Sequence, residues 1–205
     1  FNWNAALASV PGQDCGIYHG SQFVHKSLDC GKSWEIISPD LTTNDTTKQK
    51  QHQSGGLTID ATNAENHTTI LCIAPSQVDP NVIWVGTDDG YLQLTRDGGK
   101  SWANLTSKIT GSPAGAWIPQ IEVSTYLAGE AFVVMNHYRR GDWGAYLFHT
   151  TDYGQTWNKI VTDQQVTSFV HCIAQDPVVP ELLFLGADDG MYVSTDKGKS
   201  WARFP

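Results

Sequence analysis

The seven residues His137-Tyr138-Arg139-Arg140-Gly141-Asp142-Trp143 concentrate binding chemistry in one short stretch of this 205-residue chain. Two adjacent guanidinium groups can grip a carboxylate or sulfate through paired N–H bonds. Trp143 and Tyr138 offer flat faces for a sugar ring or a peptide side chain. His137 and Asp142 add polar contacts. A second set of candidates is carboxylic: Asp88-Asp89 and Asp188-Asp189, each pair followed by glycine. Cleavage of a glycosidic bond needs two carboxyl groups, about 5–5.5 Å apart for retention or about 6.5–9.5 Å for inversion. Asp142, Asp89 and Asp189 are the candidates for such a pair. The competing reading of both Asp-Asp-Gly copies is a tight hairpin turn, where Asp-Gly is favoured.

An octamer repeated four times must position these groups. It runs from Ser27 to Trp34, Thr95 to Trp102, Thr150 to Trp157 and Ser194 to Trp201. Each copy reads Ser/Thr-x-Asp-x-Gly-Lys/Gln-Ser/Thr-Trp. The aspartates Asp29, Asp97, Asp152 and Asp196 are spaced by 68, 55 and 44 residues. A four-stranded propeller blade takes roughly 40–50 residues, so the last interval is a bare blade and the others carry insertions. Within the octamer, Asp accepts hydrogen bonds from the turn backbone. Gly31, Gly99, Gly154 and Gly198 tolerate a left-handed conformation. Trp34, Trp102, Trp157 and Trp201 then open the next strand as core plugs, each indole N–H needing an acceptor.

The chain divides accordingly into blade one (1–38), an insertion (39–68), blade two (69–106), blade three (117–161) and blade four (168–205). Runs rich in β-branched and aromatic residues mark the strands, with Gly, Pro and Asp between them. Blade one has strands over Trp3–Val10, Gly16–His19, Phe23–Ser27 and Trp34–Ser38. Blade two has Thr69–Ala74, Val82–Thr87, Tyr91–Thr95 and Trp102–Thr106. Blade four repeats it closely: Cys172-Ile-Ala matches Cys72-Ile-Ala, and the two Asp-Asp-Gly turns coincide. Blade three has Trp117–Ser124, Ala131–Asn136, Gly144–His149 and Trp157–Val161. Its second hairpin is enlarged by His137 to Trp143. The insertion is polar, with Gly55-Gly56 and few apolar residues beyond Leu57 and Ile59. It is far longer than the usual connection of about 4–6 residues.

In a four-stranded meander alternate turns share an end. The first and third turns of each blade lie with the octamers. The second turns and the links between blades lie opposite. His137 to Trp143, both Asp-Asp-Gly turns and the insertion therefore emerge together, and a functional site is expected there.

The octamers resemble Asp-boxes (BNR repeats), found in the β-propellers of sialidases, xyloglucanases and sortilin-type receptors. The resemblance implies a structural role for Asp29, Asp97, Asp152 and Asp196, with clefts on the face away from the boxes. Trp34 to Asp45, Trp117 to Glu122, Thr150 to Trp157 and Leu182 to Trp201 are similar to large bacterial Asp-box proteins of glycosyl hydrolase or sortilin-like type. The resemblance implies an all-β propeller with four blades here, part of a ring of about seven. Sialidases carry Arg-Ile-Pro ahead of the first box. Here Trp117-Ile118-Pro119 has no arginine, which argues against sialidase activity.

A hydrophobic fraction of 40% supplies a globular core. The formal charge of −8 argues against sequence-independent nucleic-acid binding, which uses clustered Lys and Arg. No apolar run approaches the ~20 residues of a membrane span. The seven histidines show no metal-ligand spacing, and no metal or cofactor is expected. Three Asn-x-Thr sequons, at Asn44, Asn66 and Asn104, read as chance. Cys15 and Cys30 fall on neighbouring strands at the octamer end, within reach of a disulfide. Cys72 and Cys172 read as small buried hydrophobes. The chain starts without Met and stops just after the last octamer, which reads as a piece of something longer. The family resemblance implies an extracytoplasmic location. The expected function is a binding or scaffold propeller recognising glycan or a protein or peptide ligand through the face opposite the octamers. The alternative is a xyloglucanase-like glycoside hydrolase using a carboxylate pair on a polysaccharide.

Overall fold

The computed structural model describes residues 4–49 and 67–204. Its strands form four antiparallel sheets of four, each in chain order. The first sheet holds β1 (Leu7–Ser9), β2 (Ile17–Gly20), β3 (Val24–Ser27) and β4 (Glu35–Ile36). The second holds β5 (Ile70–Pro75), β6 (Ile83–Thr87), β7 (Leu92–Thr95) and β8 (Ala103–Asn104). The third holds β9 (Trp117–Val123), β10 (Ala131–His137), β11 (Asp142–Thr150) and β12 (Asn158–Lys159). The fourth holds β13 (Val170–Gln175), β14 (Leu183–Ala187), β15 (Gly190–Ser194) and β16 (Ala202–Arg203). Trp3, Gly55, Gly56, Leu57, Ile59 and the sequon Asn66 lie outside the described residues. Among the described residues no helix is long and apolar enough to cross a membrane.

Successive sheets pack face to face, and β10 shows how. Successive side chains of a strand point to opposite faces. Val133 and Met135 join Trp84, Leu94 and Ile118 in a core shared with the second sheet. Phe132 and Val134 join Leu185, Tyr192 and Trp201 in a core shared with the fourth. A third core links the first and second sheets through Val24, Ile70 and Val85. Leu41 belongs to that core and is buried. Its amide donates to Gln22 O, and its carbonyl accepts from Gln93 Nε2. Leu41 therefore packs into the fold just after Pro39, within the stretch expected to be a polar insertion. One apolar residue among polar neighbours was too weak a periodic signal to mark this return.

The octamers explain how the sheets are held together. In all four, the aspartate Oδ1 accepts from the first Ser/Thr hydroxyl and from the backbone N–H four residues on. Oδ2 accepts from the hydroxyl of that later Ser or Thr, at 2.6–2.7 Å. The two residues after Asp are left-handed: Cys30 and Gly31, Gly98 and Gly99, Tyr153 and Gly154, Lys197 and Gly198. The glycine is required by space as well as by φ. A Cβ at Gly99 would lie 2.6 Å from Ile37 O, at Gly154 2.6 Å from Leu105 Cδ1, and at Gly198 2.7 Å from Ile160 Cδ1. Ile37, Leu105 and Ile160 each follow the last strand of the preceding sheet. Trp102 and Trp201 also donate to Ile37 O and Ile160 O, at 3.1 and 2.7 Å. Trp157 donates to Gly154 O and sets its ring edge-on to Trp84 of the second sheet. The octamer is a clasp on the sheet before it.

Two expectations are corrected by this geometry. Trp34 is 45% exposed and plugs no core, because the first sheet has no preceding sheet among the described residues. Its indole N–H turns back to Gly31 O. Cys172 is exposed, although its repeat partner Cys72 is covered. Ile118 of the third sheet packs where Gly86 and Cys72 face it, and Cys72 Sγ donates to Ile118 O at 3.3 Å. The matching face of the fourth sheet, with Gly186, Phe184 and Met191, is an open apolar groove. Cys15 and Cys30 form a disulfide, with Cα atoms 4.4 Å apart, tying the first turn of the first sheet to its octamer. Between the third and fourth sheets, buried Glu130 accepts from His149 Nε2 and Lys197 Nζ at 2.9 and 3.1 Å. Burial raises its pKa, but these donors outweigh burial and hold it at about 2.

Three outcomes follow from the clasp. Trp201→Ala should cost about 3–5 kcal/mol in urea unfolding, and Trp34→Ala about 1 kcal/mol or less. The Ser33, Ser101, Thr156 and Ser200 donors hold the four octamer carboxyls down at about 2, below the usual 3.8. A depressed carboxyl contributes stability that is present above the unfolded pKa and lost on acidification. The urea midpoint should therefore fall between about pH 4 and pH 2, and fall less in Asp97→Asn. A thiol reagent should modify Cys172 in the native protein. Cys72, pushed up to about 12 by burial, should react only after denaturation, as read by mass spectrometry.

Candidate functional site

The end opposite the octamers gathers His67, the turn after β6, the link before β9 and the β10–β11 hairpin tip. Close backbone approach draws the turn and the link together. Gly90 has φ +89, and a Cβ there would lie 2.8 Å from Gly115 Cα. The tip is a short 3-10 turn over Tyr138–Arg140, closed by Gly141 in the left-handed region at φ 77. A register shift between Met135 and His137 lets it splay outward.

The tip crosses onto the fourth sheet through aromatic rings. Tyr138 stacks on Phe169 with centroids 4.5 Å apart, and Trp143 meets the same ring at 5.6 Å. His171 packs edge-on to Phe169 at 4.8 Å. Trp143 remains 61% exposed. Phe169 is buried beneath these rings, so Trp143 and half-buried Tyr138 are the rings that a flat ligand can reach. Behind them, the Arg139 guanidinium lies 3.5 Å over the Trp117 ring and 4.4 Å over Tyr138. Such cation–π contacts fix the long side chain in place. Beside these residues is a cavity of about 50 Å³, lined by His67, Asp88, Trp117, Asn136, Arg139 and Arg140, with His137 and Gly115. The six residues His137 to Arg140, Asp142 and Trp143 thus share one end. Trp117, Asn136, His67 and Phe169 join them without having been singled out as site residues.

The carboxylates are held differently. Asp142 accepts from Gly144 N at 3.0 Å and from the Tyr146 hydroxyl at 2.9 Å. Burial, then Asp142 itself, pushes Tyr146 up to about 12. Asp88 is buried and accepts from Thr69 N and the Thr69 hydroxyl. Asp89 is also buried, with one oxygen taking the Thr87 hydroxyl and the other Thr43 N at 2.7 Å. In the fourth sheet the same turn is open. Asp189 accepts from Thr167 and Tyr192 hydroxyls at 2.6 and 2.8 Å, and these bonds, Thr167 first, lower its pKa. Asp188 lies 3.6 Å from His171. Identical motifs differ because residues 42–43 and 67–69 cover the turn in the second sheet alone.

No family model matches the chain. It is related in sequence to an oligoxyloglucan-reducing end-specific xyloglucanase of Emericella nidulans, 32% identical over 144 residues. A probable enzyme of the same description from Neosartorya fischeri is 30% identical over 142 residues. Each match covers 64% of this chain and 16% of the relative, so the chain spans a minor part of those proteins. Among solved structures, an ancestral GH74 enzyme superposes with a TM-score of 0.69 at 19% identity, over 97% of this chain and 23% of that one. The GH74 xyloglucanase from Xanthomonas campestris gives 0.66 at 19%, over 97% and 29%. The dihydro-heme d1 dehydrogenase NirN gives 0.60 at 13%, over 98% and 37%. These identities carry fold and not activity. The chain is a run of four β-propeller blades, related in sequence to xyloglucanases and matching part of a larger ring.

Proposed function

We propose that this chain is part of an exported glycoside hydrolase acting on a xyloglucan-type polysaccharide, with its sugar-contacting surface at the end opposite the octamers. The observation that carries this reading is the aromatic cluster at that end, with exposed Trp143 and half-buried Tyr138 set on buried Phe169, in a chain related to xyloglucanases. Trp143 and Tyr138 would stack on sugar rings, and Arg139 and His137 would hold hydroxyls beside them. Asp142 is the carboxyl of this segment nearest in sequence to the cluster, and is the proposed member of the catalytic pair. Export is supported by the Cys15–Cys30 disulfide, a bond that persists in oxidising compartments.

A binding-only propeller, for glycan or for protein, is the second reading. It is favoured by one observation: Asp89, Asp142 and Asp189 are each engaged by turn or strand donors. Release of reducing ends from xyloglucan by the intact protein separates the two. Under the hydrolase reading, Asp142→Ala should lower kcat by about 100-fold or more. Trp143→Ala should weaken substrate binding about tenfold. Tight xyloglucan retention without any turnover would establish the binding-only reading instead.

A further inference from the structure

Asn136 is an anomaly in its strand. β10 runs Ala131-Phe-Val-Val-Met135 as buried apolar residues before it reaches Asn136. Asn136 is 4% exposed, and its Oδ1 has no hydrogen-bond partner among the described residues. His67 Nε2, in the same cavity lining, has none either. A buried polar atom left unmatched costs about 1–3 kcal/mol. An aliphatic residue would continue the pattern of the strand, so the amide is a costly choice unless something comes to meet it.

The cavity also holds unmatched positive charge. The chain has 21 acidic residues against 13 Lys and Arg. Carboxylates are therefore in excess, yet among the described residues neither Arg139 nor Arg140 forms an ion pair. Arg139 uses its flat face on Trp117 and Tyr138, which leaves its N–H edge for another group. Asp88, the acid in the lining, is occupied internally: it accepts from Thr69 twice and faces His67 Nδ1 at 3.6 Å. The space of about 50 Å³ takes one polar edge of a sugar, not a whole ring.

We infer that this cavity is a subsite for a uronic acid residue of the glycan. The sugar carboxylate accepts from Arg140 and the free edge of Arg139. Asn136 Oδ1 exposes no surface without ligand, so its amide turns into the cavity to accept a hydroxyl of the same residue, whose ring lies toward the aromatic cluster. A neutral sugar would satisfy the amide but offer the guanidinium groups only hydroxyl oxygens, with no anion to match their charge. The inference rests on the glycan reading above and adds to it a preference for chains that carry a uronic acid.

A matched pair of ligands tests it: a glucuronic acid-substituted xylo-oligosaccharide, and the same oligosaccharide with its carboxyl reduced to the alcohol. Calorimetry on the intact protein at low salt should show the acidic ligand binding about tenfold tighter, with the preference shrinking at high salt. Arg140→Ala, at an exposed position, should abolish the preference and leave the reduced ligand unchanged. Asn136→Leu should weaken both. Equal binding of the two ligands by the unaltered protein, or a preference that survives Arg140→Ala, overturns the acidic subsite and leaves the glycan reading standing. Binding of neither ligand, nor of xyloglucan, overturns both.

Discussion

The arrangement of the whole molecule depends on the contact between the octamer glycines of the second, third and fourth sheets and the residue that follows the last strand of the sheet before. That contact tolerates no Cβ: at Gly99, Gly154 and Gly198 an added carbon would lie 2.6–2.7 Å from the preceding sheet. Side chains of the octamer hold the turn in that shape: the first Ser or Thr hydroxyl accepts the N–H of the second left-handed residue, and the aspartate accepts the N–H two residues further on. The tryptophan then covers the seam. Each sheet is thus fixed to its predecessor at one end by a turn whose shape is set locally.

A clasp at one end leaves the other end free to vary. The second and fourth sheets carry the same Asp-Asp-Gly turn, yet one is sealed by neighbouring chain and the other is open. The third sheet replaces the turn with a longer tip. It reaches the next sheet through Tyr138 and Phe169 and so bridges two blades at the opposite end. Rigid sheets below and variable turns above are the usual division between scaffold and site. Both outer surfaces of the four-sheet run stay open, at Trp34 and at the groove beside Cys172. This agrees with a match to only part of larger propellers.

The chemistry proposed for the free end combines stacking, which is tolerant, with charge, which is selective. Aromatic faces accept many sugars. The paired guanidinium groups and the unmatched Asn136 ask for a ligand with both an anion and a hydroxyl. Xyloglucanase kinship and an acid-reading pocket are compatible, because relatives sharing a fold and 32% identity over 64% of this chain can differ in the loops that meet substrate.

Local sequence was enough for the strands, the octamer turns and the sharing of one end by His137 to Trp143. Each depends on neighbours within a few residues: the alternation of a strand, the glycine of a turn, the parity of turns in a meander. It did not show that Trp34 lies open while Trp201 is buried, since the two octamers are alike and differ only in whether a sheet stands before them. It did not separate Cys72 from Cys172, which differ by the presence of Ile118 on one and not the other. Leu41, Trp117, Asn136 and Phe169 were likewise hidden, because their roles arise from residues dozens of positions away. The sequence by itself determined which segments make blades and which turns clasp them; tertiary packing decided which faces are covered and which buried polar atoms lack a partner among the described residues. Burial and partnership belong to pairs of surfaces, and no single segment contains both members.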